Sequence, residues 1–384
     1  MRVQLNYMAS LASFLALFAM FFLFSTSSVA QTPDDNFAAR LDVYNDENIT
    51  VWNQSGSASI DSSDGSVAGA HYAVDAVSGA TKAFAPDAIS SATRFSETRV
   101  EMGVHGAVKP FRLTKTGGDF VVSLEPDYFT VAGGLSVETE LFQRMSKLFA
   151  RIGLSGEGIG EVSDPFVYEP MFTMSSDVTW SQILSRLTVV SVLTTGSLSF
   201  CGERIGCHAS PYRYALMLDE RTGARFALRE RHPSFRARGA TGVRISHSIA
   251  PGFAWHASYR FYLDSWWVSG HTADFSFVAT FLEGRLQLRL SLRGSYQTAA
   301  EFFDEPYKTP DLAPPQHRTF DPELSELAGL STGGAATYVL GPIGIIPRLT
   351  FTGKVTHLTY RYFDSRIRPR RDAWVLGVGV GMRL

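Results

Sequence analysis

Apolar and polar residues alternate along the segment from Arg285 to Tyr296, RLQLRLSLRGSY. Every second residue from Leu286 to Leu292 is a leucine, and polar or charged residues stand between the leucines. This period of two is that of a β-strand, in which successive side chains point to opposite faces, and it does not fit a helix. The pattern predicts a strand with one face toward an apolar medium and the other toward water.

The same alternation recurs along most of the chain. Strands are predicted at residues 38–44, 49–60, 67–76, 94–104, 129–141, 148–154, 178–184, 187–198, 235–249, 252–263, 268–281, 285–298, 334–345, 349–363 and 373–384. The number is about sixteen, and even numbers are typical of bacterial outer-membrane barrels. Tight turns alternate with long connections, which are predicted at residues 79–93, 156–175, 199–233 and 299–332.

The sequence therefore predicts an all-β fold, a transmembrane antiparallel up-and-down β-barrel with short periplasmic turns and long outer loops. A soluble exported β-sandwich is the alternative fold. A barrel of this size cannot be filled by side chains alone, so a polar or partly plugged lumen is expected.

The N-terminal segment has the composition of a secretory signal peptide. Arg2 precedes an apolar run at residues 11–24, and small residues follow up to Ala30. The run is too short to span a bilayer as a helix, and the small residues suit a signal peptidase. We expect a cleaved signal peptide at residues 1–30, a short periplasmic tail at 31–37 and a barrel in the cell outer membrane at 38–384.

Aromatic residues and the last strand support the membrane interpretation. The tryptophans Trp52, Trp180, Trp255, Trp266, Trp267 and Trp374 fall mostly near predicted strand ends. Amphipathic rings at this height would form interfacial girdles, although aromatic residues are common in strands of every kind. The alternating strand that ends at Leu384 resembles the sorting signal read by the barrel-assembly machinery. That machinery and outer-membrane lipid are the expected partners.

Charge and cysteines exclude some classes of protein. The formal net charge is −2, so no basic field points to nucleic acid. Cys201 and Cys207 lie in the sequence CGERIGC, and a disulfide is expected in an oxidising compartment. A metal site would need more ligands than these two thiols and His208.

The segment Tyr72 to Arg99 carries a family resemblance. Its features are Val74-Asp75, Ser78-Gly79-Ala80-Thr81, Ser91-Ala92 and Arg94-Phe95, followed by Glu97 and Arg99. The segment resembles the N-terminal part of a Gram-negative family of outer-membrane β-barrels of unknown function. The resemblance implies a barrel and an outer-membrane location, and it implies no activity.

A motif within this segment suggests a cofactor. Asp75, Ser78, Gly79, Ala80 and Thr81 resemble the acceptor sequence of ApbE-type flavin transferases, which join FMN through its phosphate to a threonine hydroxyl. The resemblance implies covalent FMN on Thr81, a redox role through the flavin, and a periplasmic FMN transferase as a partner. The alternative is an ordinary strand end and turn, in which such small residues are common.

Charged residues alternate with apolar ones on several predicted strands and are expected to line the lumen. They are Glu97, Arg99, Glu101, Glu138, Glu140, Arg236, Arg238, Arg244, Arg260, Arg285, Arg289 and Arg293. Opposed acidic and basic walls would select solutes by charge. The alternative is that these charges pair with one another and only fill the interior.

Enzyme interpretations have little support, and no catalytic or metal residue is predicted. No His-x-x-x-His or Gly-x-Ser-x-Gly motif occurs. His247, His256 and His271 come from adjacent predicted strands and could approach one another. The acidic residues between 301 and 323 match no calcium loop and are expected in a solvated outer loop.

Three functions follow from these expectations. The first is an outer-membrane channel or scaffold with a charged lumen. The second is a flavinylated redox protein with FMN on Thr81. The third is a surface structural or adhesive barrel that acts through its loops.

Overall fold

A computed structural model describes residues 36–81, 93–161, 164–309, 314–344, 346–365 and 369–383, with side chains outside the description at 78–81, 93–97, 161 and 164–168. The strands are β1 (Phe37–Asp46), β2 (Ile49–Asp61), β3 (Val67–Thr81), β4 (Thr93–Phe111), β5 (Thr114–Leu124), β6 (Tyr128–Leu141), β7 (Ser146–Glu161), β8 (Asp164–Ile183), β9 (Thr188–Cys201), β10 (Tyr214–Asp219), β11 (Arg225–Arg229), β12 (Phe235–Ala250), β13 (Phe253–Asp264), β14 (Ser269–Phe281), β15 (Leu286–Gln297), β16 (Tyr307–Thr309), β17 (Leu327–Leu340), β18 (Arg348–Tyr362) and β19 (Arg370–Arg383). Among these described residues, no helix has the length and apolar character needed to cross a bilayer.

Sixteen strands of the described chain form a closed antiparallel barrel. Their order around the ring is β1-β19-β18-β17-β15-β14-β13-β12-β9-β8-β7-β6-β5-β4-β3-β2. The ring closes where β1 pairs with β19, from Phe37 opposite Met382 to Asp46 opposite Ala373. The predicted barrel of about sixteen strands is confirmed, and the β-sandwich alternative is wrong.

Side chains on the two faces of the barrel differ in polarity. Directly opposed residues of an antiparallel pair point to the same face, so the register assigns a face to every strand residue. Leu290 is 65% exposed and Val378 61% exposed, and both lie on the outer face. The inner face carries most of the charged side chains of the strands, including Arg289 and Asp274.

The two ends of the barrel differ in the length of their connections. At one end, here called the short-turn end, strands are joined at residues 61–67, 111–114, 141–146, 183–188, 250–253, 281–286 and 340–348. The opposite, long-loop end has the connections 201–235 and 297–327. Residues 82–92, in another connection at this end, lie outside the described residues.

The long loop predicted at residues 156–175 is wrong. β7 continues to Glu161 and β8 begins at Asp164, and Gly158 pairs with Pro170 within the ladder. The outward positions here hold Gly156, Gly158 and Pro170. Large apolar side chains are therefore missing at these positions, and the sequence does not show the alternation that predicts a strand. The Phe129 ring occupies the space above Gly158, where a Cβ would lie 2.2 Å from it.

The other long connections are shorter than predicted. β3 extends to Thr81 and β9 to Cys201, and β17 begins at Leu327. The connections that follow β9 and β15 also contain the short strands β10, β11 and β16.

Gly252 tests the geometry of the short-turn end. It has a φ of +82°, and a Cβ there would lie 2.9 Å from the Thr280 carbonyl oxygen. Replacement of Gly252 by Ala is expected to lower the free energy of unfolding in urea titrations by about 1–2 kcal/mol, because an L-residue is strained in this conformation. Gly294→Ala is the control, since a methyl group added there would meet no other atom within 4 Å. Equal losses in both variants would contradict the assigned turn.

Candidate functional site

The inner face of the barrel holds most of the charged residues that the alternation pointed to. The register places there Arg99, Glu101, Glu138, Glu140, Arg236, Arg238, Arg244, Arg260, Arg289 and Arg293. Glu97 pairs with Val77 in the β3–β4 ladder, and its side chain is outside the description. Arg285 lies in the turn between β14 and β15, at the short-turn end.

These charges form two walls that face each other over part of their width. In the ring of sixteen strands, β2–β5 stand eight places from β12–β15 and are therefore opposite them. We call the inner face of β12–β15 the basic wall, because it carries the arginines Arg236, Arg238, Arg244, Arg260, Arg289 and Arg293. The inner face of β3–β8 carries most of the carboxylates and is here called the acidic wall.

The acidic wall is partly neutralised by cations of its own strands. Arg151 contacts Asp119 at 2.6 Å and Asp177 at 3.9 Å. Arg99 contacts Glu101 at 2.6 Å, and Lys147 contacts Glu138 at 2.8 Å. The predicted pairing of charges with one another therefore describes this half of the lumen.

The basic wall is only partly neutralised. Asp264 binds Arg236 at 2.5 Å, and Asp274 lies 3.7 Å from Arg293. Among the described residues, no carboxylate lies within 4.0 Å of the remaining arginines of this wall, which are Arg238, Arg244, Arg260 and Arg289. The lumen therefore has an excess of positive charge on one side.

The three histidines of adjacent strands do not form a cluster. His256 lies on the inner face of β13 and bonds to the Ser246 hydroxyl at 2.8 Å. His247 is opposite the outward Trp255, and His271 lies on the outer face against Phe261. Strand alternation separates them, because His247 and His271 point outward whereas His256 points into the lumen.

The two long connections fold together over the long-loop end. We call the described residues of 202–234 and 298–326 the cap. Within the cap, β10 pairs with β11 antiparallel and with β16 parallel, so a small sheet joins one connection to the other. Ile205 and Ala209 of the cap pack against the inward side chains of Ile159 and Met171.

A second apolar cluster fixes the cap beside β13 and β14. It contains Cys207, Trp266, Val268, Ala300 and Leu324. Trp266 is 3% exposed, and the Arg236 guanidinium lies 3.9 Å from its ring centroid. Trp266 therefore packs against the cap, and its predicted place in an interfacial girdle is wrong. Cys201 and Cys207 form a disulfide with a Cα–Cα distance of 5.1 Å, as their spacing predicts.

Glu230 is the polar centre of the cap. Its fully buried carboxylate accepts hydrogen bonds from the backbone N–H of Ser210 and of Phe320, both at 3.0 Å, and from the Thr319 hydroxyl. Arg213 lies 3.6 Å from it. Burial alone would raise the pKa of Glu230, but the contact with His232, the charge of Arg213 and the bond from Thr319 outweigh it and lower the pKa to about 2.

The cap contacts opposite sides of the inner wall. Arg204 pairs with Glu169 on β8, whereas Glu323 accepts hydrogen bonds from Arg371 at 3.1 Å and from the Tyr362 hydroxyl at 2.9 Å. β8 and β19 stand eight places apart in the ring of sixteen strands and are therefore opposite each other, so the cap contacts both sides of the barrel mouth. Asp321 binds Arg213 at 2.7 Å. The expectation of a merely solvated acidic loop is therefore wrong for Asp321 and Glu323.

No motif in the sequence points to this centre. Glu230 and Thr319 are 89 positions apart, Arg213 lies still further from Thr319, and the three follow neither a helical nor a strand period. Burial of a carboxylate becomes apparent only once the two connections are brought together.

The motif that resembles an FMN acceptor lies at the long-loop end of β3. The backbone of Ser78 to Thr81 pairs with Ser96 to Thr93 of β4. Asp75, earlier in the motif, accepts a hydrogen bond from Asn53 on β2. Flavin attachment at Thr81 stays a prediction. Among the described residues, no group of three or more His, Cys, Asp or Glu side chains could hold a metal ion.

Comparison with known proteins gives one family match. Residues 171–338 match a family described as a protein of unknown function, DUF3570. No curated protein matches the chain.

Several solved structures are similar to the chain in fold. The siderophore receptor PirA of Pseudomonas aeruginosa is 8% identical, with a TM-score of 0.42 over 91% of this chain and 81% of that one. OccK5 (OpdH) of Pseudomonas aeruginosa is 10% identical, with a TM-score of 0.42 over 91% and 98%. The ferric enterobactin receptor PfeA is 8% identical, with a TM-score of 0.44 over 86% and 55%, so the chain spans about half of that receptor.

The low pKa of Glu230 predicts a pH dependence for the cap. Its pKa lies below the ordinary value of 4.5, so its contribution to cap stability is complete above pH 4.5 and is lost as the pH falls toward 2. Hydrogen exchange, corrected for the intrinsic pH dependence, should show falling protection of the Ser210 and Phe320 amides over this range. Glu230→Gln should reduce their protection at pH 7, whereas Glu301→Gln, at an exposed site of the cap, should not. Unchanged protection in Glu230→Gln would contradict the role of this carboxylate.

Proposed function

We propose that the protein is an outer-membrane channel with a charged lumen and a mouth narrowed by the cap. The observation that carries this proposal is the closed barrel with apolar side chains outside and charged side chains inside. Such a barrel satisfies its backbone hydrogen bonds within the ring, which a bilayer requires.

The outer face supports a location in lipid. Exposed apolar side chains cover it, among them Leu135, Leu290 and Val378. Trp52 and Trp374 point outward near the long-loop end, and Trp180 and Trp255 point outward near the short-turn end. Tryptophans at both ends of an apolar band are typical of interfacial girdles. The even number of barrel strands would leave both termini in the periplasm and the cap outside the cell.

The inner face supports a water-filled lumen. Arg244, Arg260 and Arg289 are solvent-exposed although they point into the barrel. Unpaired guanidinium groups need water or an anion around them, since a charge without either is costly to bury. The cap covers part of the mouth, so we expect a low conductance.

Two other functions make different predictions. A structural or adhesive barrel would act through its loops and would conduct no ions. A redox barrel would carry an FMN mass on the peptide that contains Thr81. The exposed inner charges favour the channel over both.

The location in lipid can be tested on two adjacent residues of β15. Leu290→Arg places a charge on the outer face and is expected to destabilise the inserted barrel by about 2–4 kcal/mol. Ser291→Arg places the same charge in the lumen and is expected to have little effect. Urea unfolding in lipid vesicles measures both, and heat-modifiable migration on a gel reports assembly. Equal effects of the two substitutions would contradict the orientation.

Conduction can be tested in planar bilayers. The wild-type protein is expected to give discrete conductance steps, and replacement of residues 300–325 by a short glycine-serine turn should increase the step size, because part of the cap is removed. The heat-modifiable gel shift must be retained in this variant. Absence of steps from both correctly folded proteins would refute the channel.

A further inference from the structure

We propose that the basic wall contains a binding site for small oxyanions, with Arg244 and Arg289 as its charged groups and Ser276 as a neutral donor. This inference rests on the proposed channel and names the class of solute that the lumen takes, namely small carboxylates or phosphates. It assigns a ligand to the part of the lumen where positive charge is in excess.

The register places Ser276 between the two arginines. Arg244 is opposite Ser258, which is opposite Asp274, and Asp274 is opposite Arg293, so these residues form one row across β12–β15. The next row toward the short-turn end contains His256, Ser276 and Ser291, and the row after it contains Val278 and Arg289. Hydroxyl groups and an imidazole therefore lie between two levels of guanidinium groups.

Spacing within these rows suits a small ligand. Neighbouring strands are about 4.8 Å apart, and diagonal neighbours across a strand pair are about 7–8 Å apart at Cα. Arg260 is such a diagonal neighbour of Arg244, because Arg244 is opposite Ser258. An extended arginine side chain is about as long as the diagonal separation, so the guanidinium groups of Arg244 and Arg260 can reach one anion from different strands. Arg289 lies one row beyond Ser276 and Ser291, on the side away from Arg244. Planar, forked donors of this kind suit carboxylate and phosphate oxygens.

The local charges leave these arginines available. The carboxylate on these rows, Asp274, already contacts Arg293 at 3.7 Å and the Ser258 hydroxyl at 3.3 Å. Among the described residues, Arg244, Arg260 and Arg289 have no carboxylate within 4.0 Å. The register places Arg244 one row from His256 toward the long-loop end and Arg289 one row from it toward the short-turn end.

The positive region continues beyond Arg289. Arg289 is opposite Ala335, and Ala335 is opposite Lys354 on β18. Lys354 has no carboxylate within 4.0 Å among the described residues. Arg99, Lys147 and Arg151 contact carboxylates of the acidic wall, on the other side of the lumen.

The first test compares ion selectivity across a KCl gradient in planar bilayers. Wild-type protein is expected to prefer chloride over potassium. The double variant Arg244→Gln/Arg289→Gln is expected to lower this preference by about tenfold, the lower end of the effect of a cleft lined by one sign of charge. The control Arg112→Gln/Arg361→Gln removes the same charge from a turn and from the outer face, and it should leave the ratio unchanged.

Selectivity results separate the two proposals. Conductance steps without a preference for chloride would overturn the anion site but not the channel. The same holds if the double variant and the control have the same ratio of chloride to potassium permeability. Absence of steps would refute the channel, and a second measurement then decides the site.

That measurement is direct binding to the detergent-solubilised barrel. The probes are inorganic phosphate and malonate. Phosphate binding is measured from the width of the phosphorus NMR line, and malonate binding is measured by calorimetry. Both should bind the wild type and the control variant and should bind the double variant at least about tenfold more weakly, since two charge-assisted contacts are lost. Binding of equal strength to the double variant would overturn the site. Binding of one probe alone would assign the site to that class of anion.

Discussion

The structure depends on the pairing of β1 with β19, which leaves the ring of strands without an edge. A sheet edge exposes unpaired backbone N–H and C=O groups, which are costly where water is absent. Closure also constrains every other strand. A shift of one residue in any strand would turn its apolar side chains inward and its charges outward, so the apolar outer face and the charged inner face fix the register together.

The same constraint explains which parts of the fold could be predicted from the sequence. Alternation is regular in β15 from Leu286 to Leu292 and in β19 from Leu376 to Val380, where leucine or valine occupies each outward position, and both strands were predictable. It fails around Gly158 and Pro170, because the outer surface there is covered by Phe129 from the neighbouring strand. A period read along one strand does not reveal apolar surface that another strand supplies.

The cap could not be predicted for a different reason. Its contacts join residues far apart in sequence, and Glu230 binds Thr319 across 89 positions. Polar, proline-rich connections usually lie in solvent, and their pairing follows no period. Trp266 shows the consequence: its position near a strand end suggested a girdle, but the tertiary structure buries it among Cys207, Ala300 and Leu324.

The charges in the lumen could be predicted in part from the sequence, and in part they depend on the tertiary structure. The sequence places arginines and carboxylates at alternating positions, but only the register decides which of them have partners. Arg151 lies between Asp119 and Asp177, whereas Arg289 lies between Val278 and Ala335. From the cap inward, the arginines without carboxylate partners are Arg238, Arg260, Arg244 and Arg289 in turn, on strands that run along the barrel. Conduction needs sites that attract an ion without holding it, and several separated sites achieve this better than one deep site. A series of single guanidinium groups facing a partly neutralised wall would therefore let anions pass from one level to the next.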